Sequence, residues 1–172
     1  MTKTRLPTVV YVEDNDGDAG LLREALLECG HEVELMVIER GDQALHYFQV
    51  KETARDVPPP HCVLLDSHLP MVTGAELVKF LRASAAFNQT PIYLFASQQD
   101  YDSLTATTDV SADSFIRKPD KWDGFLALAK LLMKSAEATA EQQDVPPAER
   151  QAATSAAPHP EVRAPTEIRL KT

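Results

Sequence analysis

Apolar residues in this chain recur with two different periods, and the two periods alternate along the sequence. Short β-branched or aliphatic runs occur at Val9–Val12, Val33–Ile38, Cys62–Leu65, Ile92–Phe95 and Ser114–Ile116. Other apolar sets fall three or four residues apart: Leu22, Ala25, Leu26 and Cys29; then Ala44, Leu45 and Phe48; then Leu77, Phe80 and Leu81. A last set, Phe125, Leu128, Ala129 and Leu132, follows the fifth run. The first kind of segment predicts strands and the second predicts helices. A further helix is expected over Gln99–Val110, weakly specified because threonine and serine compete locally for its backbone. Five strands alternating with five helices require right-handed crossovers. The predicted fold class is therefore α/β, a doubly wound five-stranded parallel sheet with helices on both faces.

Turn and cap residues agree. In "ECGHEV" Gly30 is placed to close the first helix, and in "RGDQAL" Asp42 is placed to cap the second. The prolines of "VPPPH" continue neither a helix nor a strand and mark the connection into the third strand. Composition then changes near Ser135. From Ala136 to Thr172 there is no aromatic residue and no glycine, and alanine, proline, glutamate and glutamine dominate. Such a segment buries too little apolar area to offset its ordering entropy. The expected organisation is one domain over residues 1–135 and a mostly disordered tail over 136–172, with helix extending through about Gln143 before Pro146.

The bulk numbers narrow the function classes. A net charge of −9 over 172 residues argues against nucleic-acid binding through a broad basic surface. No apolar run approaches the roughly 20 residues that span a bilayer, and "MTKTRLP" lacks the apolar core of a secretory signal. Cys29 and Cys62 have neither metal-site nor redox-motif spacing and read as free thiols of a reducing cytoplasm. The localisation expected is cytoplasmic, without membrane or nucleic-acid partners.

The chemistry concentrates at strand ends. "PTVVYVEDNDGD" runs from an apolar strand into Glu13, Asp14, Asp16 and Asp18. In an open α/β sheet, ligands lie beyond the carboxyl ends of the strands. Glu13 and Asp14 reach that edge from the first strand, Asp66 of "HCVLLDSHLPMVTG" from the third, and Lys118 of "SFIRKPD" from the fifth. Crowded carboxylates raise one another's pKa. A hard divalent cation that keeps some water, Mg²⁺, relieves that repulsion. Cation, ammonium and nucleophilic carboxylate together suit phosphoryl transfer.

These motifs resemble those of two-component response-regulator receiver domains, typified by the bacterial chemotaxis regulator, over about Leu6 to Lys134. "VEDN" is similar to the acidic-pair motif, and "LLDSHLPMVTG" to the phosphoacceptor motif with its Pro70 and Gly74. "RKP" is similar to the lysine–proline motif, where the family has a cis peptide. "EDNDGDAGLLREAL" further resembles stand-alone receivers that partner phytochrome-type kinases. The resemblance implies the flavodoxin-like receiver fold. It also implies Asp66 as phosphoacceptor, Asp14 as a direct Mg²⁺ ligand and Glu13 as a ligand mainly through water. His68 would contribute its backbone carbonyl and Lys118 would contact the phosphoryl group. The implied partners are a sensor histidine kinase or histidine phosphotransfer protein and a downstream protein, with a possible homodimer through the last strand and helix. Such a domain signals rather than turning over a substrate; its own chemistry is limited to self-phosphorylation and self-dephosphorylation.

Two positions depart from that pattern. Five residues after Pro91, where the family has threonine or serine, stands Ala96, followed by Ser97. The family hydroxyl bonds the phosphoryl group and draws the next loop inward. Its loss is expected to leave phosphorylation intact and to alter the readout, unless Ser97 substitutes after a one-residue shift. Ser111 stands where related chains often close the fourth helix with glycine. Phe115 occupies the aromatic switch position, where packing and switching are equally compatible readings. Trp122 marks either a docking face or an amphipathic boundary. Two other functions stay open: a phosphorylation-independent binding module, favoured by Ala96, and an aspartyl-phosphate hydrolase of the haloacid dehalogenase type. The hydrolase needs an acid where His68 stands.

Overall fold

The computed structural model describes residues 6–30, 32–54, 57–106 and 114–144. The strands are β1 (Thr8–Val12), β2 (Glu34–Ile38), β3 (Cys62–Asp66), β4 (Ile92–Ala96) and β5 (Ser114–Arg117). The helices are α1 (Asp16–Glu28), α2 (Gly41–Thr53), α3 (Gly74–Ala83), α4 (Gln98–Ala106) and α5 (Trp122–Asp144), with a short 3₁₀ turn at Ala85–Phe87. All strand pairs are parallel, in the order β2-β1-β3-β4-β5. The chain reverses its direction of winding between β1 and β3, which opens a crevice beyond the carboxyl ends of those two strands.

Residue alternation along the strands builds two cores. Val9, Tyr11, Cys62, Leu64, Tyr93, Phe95 and Ile116 face one side and pack with Leu22, Leu26, Leu128 and Leu132 of α1 and α5. Val10, Val12, Val63, Leu65, Ile92 and Leu94 face the other side and pack with Phe48, Leu77 and Leu81 of α2 and α3. Every residue of β3 and β4 is buried. This explains why their sequences read as continuous apolar runs rather than alternating ones.

Some local expectations shift. Gly30 lies one residue beyond the Cys29 cap of α1, with φ +70° in the left-handed region that favours glycine. Asp42 does not cap α2. That helix begins at Gly41 with Arg40 as its N-cap, and the Asp42 carboxylate instead accepts two bonds from the Arg40 guanidinium, at 2.9 and 2.8 Å. Helix α5 runs past Ser135 to Asp144, in keeping with the helix expected through about Gln143, and Ala136 and Thr139 are buried in it. The tail from 145 onward, Ser111 and the end of the expected Gln99–Val110 helix lie outside the described residues. Cys62 is buried, Cys29 is half-buried, and neither is joined in a disulfide.

Close backbone approach fixes the ends of the site-bearing strands. A Cβ on Gly74, at the start of α3, would lie 2.2 Å from the carbonyl oxygen of Asp66 and 2.8 Å from Leu94 Cδ1. A Cβ on Gly41 would lie 1.8 Å from the carbonyl oxygen of Val72. Pressing α3 onto the end of β3 therefore demands glycine at 74. The Thr73–Glu76 capping box holds the same helix end, with Glu76 Oε2 accepting from Thr73 N at 2.8 Å. Gly74→Ala is expected to cost about 1–3 kcal/mol, read as a lowered thermal midpoint. An unchanged midpoint would show that the contact yields freely.

Candidate phosphoacceptor site

The four residues singled out at the strand ends meet in space. Glu13, Asp14 and Asp66 each offer a carboxylate oxygen within 4.8 Å of the others, and no other such trio occurs among the described residues. Glu13 and Asp66 are buried, at 1% and 5% exposure, whereas Asp14 is exposed. The set fits a hard divalent cation: charged oxygen donors converge, and the exposed side leaves room for water.

The backbone sets each position. Glu13 N donates to Ile38 O at 3.0 Å, and Ser67 N to Phe95 O at 2.8 Å. Lys118 N donates to Ala96 O at 2.7 Å, tying the end of β5 to the end of β4. From there the Lys118 side chain crosses β4, its ammonium 5.2 Å from the centre of the Phe95 ring. It donates to Glu13 Oε2, Asp18 Oδ2 and Asp66 Oδ2, each at 2.9 Å. Glu13 Oε2 also accepts the Tyr11 hydroxyl at 2.8 Å, and Oε1 accepts Asn15 N at 3.1 Å. Asp66 Oδ1 accepts His68 N at 3.1 Å.

Electrostatics follows from this crowding. Burial pushes Glu13 up to about 7, with the neighbouring Asp66 charge adding to the rise and hydrogen bonds from Lys118 and Tyr11 opposing it. Burial also drives the Tyr11 hydroxyl well above its ordinary value, reinforced by Glu13. For Lys118, burial opposes the charge, but hydrogen bonds to Asp18, Asp66 and Glu13 outweigh it and raise the ammonium above its usual range. The ammonium is therefore fixed as a cation, while Glu13 titrates near neutrality.

The remaining predicted positions surround this centre. Ala96 is fully buried. The Ser97 hydroxyl donates to Asp100 Oδ2 at 2.5 Å and accepts Asp100 N at 3.3 Å, which caps α4. The exposed His68 ring lies with Nδ1 3.1 Å from the same Asp100 oxygen. Phe115 is half-buried against the α2–α3 core, and Trp122, 36% exposed, opens α5. The Lys118–Pro119 peptide is trans, as are all described peptides, in contrast to the cis peptide that the sequence resemblance implied.

Asp18, Tyr11 and Asp100 join the site or its surroundings without having been singled out by the motifs. The signals were present. Tyr11 of β1 precedes Glu13 by two, and the strand period carried one residue past Val12 gives both the same face. Asp18 lies in the first turn of α1, whose N-terminus faces the site, and "SQQD" carries the spacing of a helix cap.

Known proteins share the sequence pattern and the fold of this chain. The sequence pattern of the response regulator receiver domain matches residues 9–130. Response regulator Rcp1 of Synechocystis sp. is 23% identical over 110 residues, covering 64% of this chain and 75% of Rcp1. The bacteriophytochrome response regulator AtBRR superposes with a TM-score of 0.60 at 29% identity, covering 74% of this chain and 93% of AtBRR. The phosphorylated cyanobacterial phytochrome response regulator RcpA shares the fold, with a TM-score of 0.66 at 21% identity over 78% of this chain and 96% of RcpA. Among the described residues no helix is long and apolar enough to cross a membrane.

Glu13 makes the site pH-dependent. Because its value is about 7 when folded against an ordinary 4.5, the folded state binds more protons between those values, and stability falls as pH rises through that window. Lys118 stays protonated throughout and adds no slope there. A divalent cation held among Glu13, Asp14 and Asp66 would displace the Glu13 proton, so Mg²⁺ affinity is expected to rise about tenfold between roughly pH 6 and pH 8. Calorimetric Mg²⁺ titration at the two pH values checks this, with a flat profile as the contrary result.

Proposed function

Because this chain belongs to the response regulator receiver domain family, we propose that it is a signalling receiver phosphorylated on Asp66. The donor is a phosphohistidine on a sensor histidine kinase or a histidine phosphotransfer protein. The observation that carries this reading is the buried Asp66 carboxylate held 2.9 Å from the Lys118 ammonium, within reach of the Glu13 and Asp14 oxygens. In the reaction an Asp66 oxygen attacks phosphorus, the phosphorus–nitrogen bond breaks, and the donor imidazole leaves with the electron pair. An acyl phosphate remains on Asp66.

Each side chain has a part in this scheme. Asp14, Asp66, the His68 carbonyl and Glu13 (through water) would hold Mg²⁺, which supplies positive charge opposite the phosphoryl oxygens when bound. Lys118 stabilises the charge of the transferred group from the other side. Buried Val12, Leu65 and Phe95 back the site and keep Asp66 poorly hydrated. Output passes through protein contacts, either on the α4–β5–α5 face or through the tail, and a homodimer would use β5 and α5.

Incubation with acetyl phosphate and Mg²⁺ should add one phosphoryl mass, and Asp66→Asn should abolish it; labelling that survives the substitution refutes the assignment. A second reading, a phosphorylation-independent binding module, draws on buried Ala96, which offers no hydroxyl to a phosphoryl group. The two separate through Ala96→Ser. A hydrogen bond to a charged group is worth about 1.5–3 kcal/mol. The added hydroxyl should therefore enlarge the phosphorylation-dependent change in partner affinity about tenfold. Identical affinity for wild type, Ala96→Ser and Asp66→Asn, with and without phosphodonor, would favour the binding module.

A further inference from the structure

We propose that Asp18 is a positioning residue that holds the Lys118 ammonium over the phosphoacceptor, an inference resting on the role of Asp66 above. Lys118 has three N–H donors, and three carboxylates take them at 2.9 Å each. Two of those acceptors, Glu13 and Asp66, belong to the trio that can hold a cation, and Asp66 is also the nucleophile. Both must redistribute their oxygens when a cation or a phosphoryl group arrives. Asp18 stands outside that trio. It is the acceptor with no competing duty, and it keeps its bond to Lys118 while the other two change partners.

The fold supports this division. Asn15 caps α1, its side chain accepting Gly17 N at 2.8 Å and Asp18 N at 3.1 Å, which fixes the backbone of Asp18 itself. The Asp18 carboxylate therefore projects from a rigid helix start, not from a loop. Asp18 and Lys118 side chains are 27% and 22% exposed, so both lie on the solvent side of buried Glu13 and Asp66. Without that outer tie, the flexible lysine stem is free to swing toward water, away from the place where phosphoryl charge develops. Misplacing a charge-stabilising group lowers the rate of the chemical step more than it alters metal binding.

The test compares Asp18→Asn with Asp16→Asn, which removes an equally placed charge from the exposed first turn of α1. With acetyl phosphate and saturating Mg²⁺, Asp18→Asn should slow phosphorylation about five- to tenfold, while half-saturating Mg²⁺ changes by no more than about twofold. Asp16→Asn should match wild type. In a Lys118→Ala background Asp18→Asn should have no further effect, because the pair acts as one unit. In protein without Mg²⁺ or phosphodonor, an amine-acylating ester followed by mass spectrometry should label Lys118 several-fold faster in Asp18→Asn than in wild type. Equal rates and equal labelling in Asp18→Asn and wild type overturn the inference, as does the same loss with Asp16→Asn or with Lys118 absent. If wild type takes no label from acetyl phosphate, or Asp66→Asn keeps it, the underlying assignment of Asp66 fails instead.

Discussion

One ammonium group balances the carboxyl edge of this sheet. Four acids, Glu13, Asp14, Asp18 and Asp66, converge there, and Lys118 bonds three of them. Like charges about 4 Å apart repel by about 4 kcal/mol each at an effective dielectric of about 20. Lys118 offsets part of that, yet burial, with the Asp66 charge adding to it, still raises Glu13 to about 7. The arrangement is built around charge that the polypeptide alone does not supply. That is a liability for a purely structural cluster and an advantage for a site that must take up a cation and a phosphoryl group.

The scaffold converts sequence-distant residues into this cluster through strand order. Placing β1 beside β3 brings Glu13 and Asp66 to adjacent strand ends, although they are far apart in the chain. Lys118 reaches them only by lying across Phe95 at the end of the intervening β4. The Phe95 ring rests edge-on against Tyr11, whose hydroxyl bonds Glu13. The apolar core therefore extends directly into the polar site, so packing of an aromatic pair helps set where charges sit.

The fold was legible because each strand and helix carries its own period, and the buried β3 and β4 read as unbroken apolar runs. The core acids and Lys118 were legible because strand ends are the one place where such residues converge in a parallel sheet. Asp18 was harder to read: whether an acid in a first helical turn faces solvent or the sheet depends on the helix entry angle, which Asn15 sets. Asp42 failed as a cap for a related reason. Helix α2 starts at Gly41, where the chain passes close against Val72, and no local pattern announces that contact. The hydroxyl of Ser97 was visible as a possible donor, but its engagement by Asp100 depends on where α4 begins.

Helix α4 differs from its neighbours in that none of its described side chains is buried. It is held by its Ser97–Asp100 cap, by half-buried Leu104, and by Arg117, which bonds Gln98. An element so lightly fastened can unravel by itself at little energetic expense, leaving the sheet untouched. Its outer residues are also excused from core packing. Mutation can redraw that surface without endangering the globule, so its chemistry can drift over evolutionary time while the acidic centre at the sheet edge stays as it is.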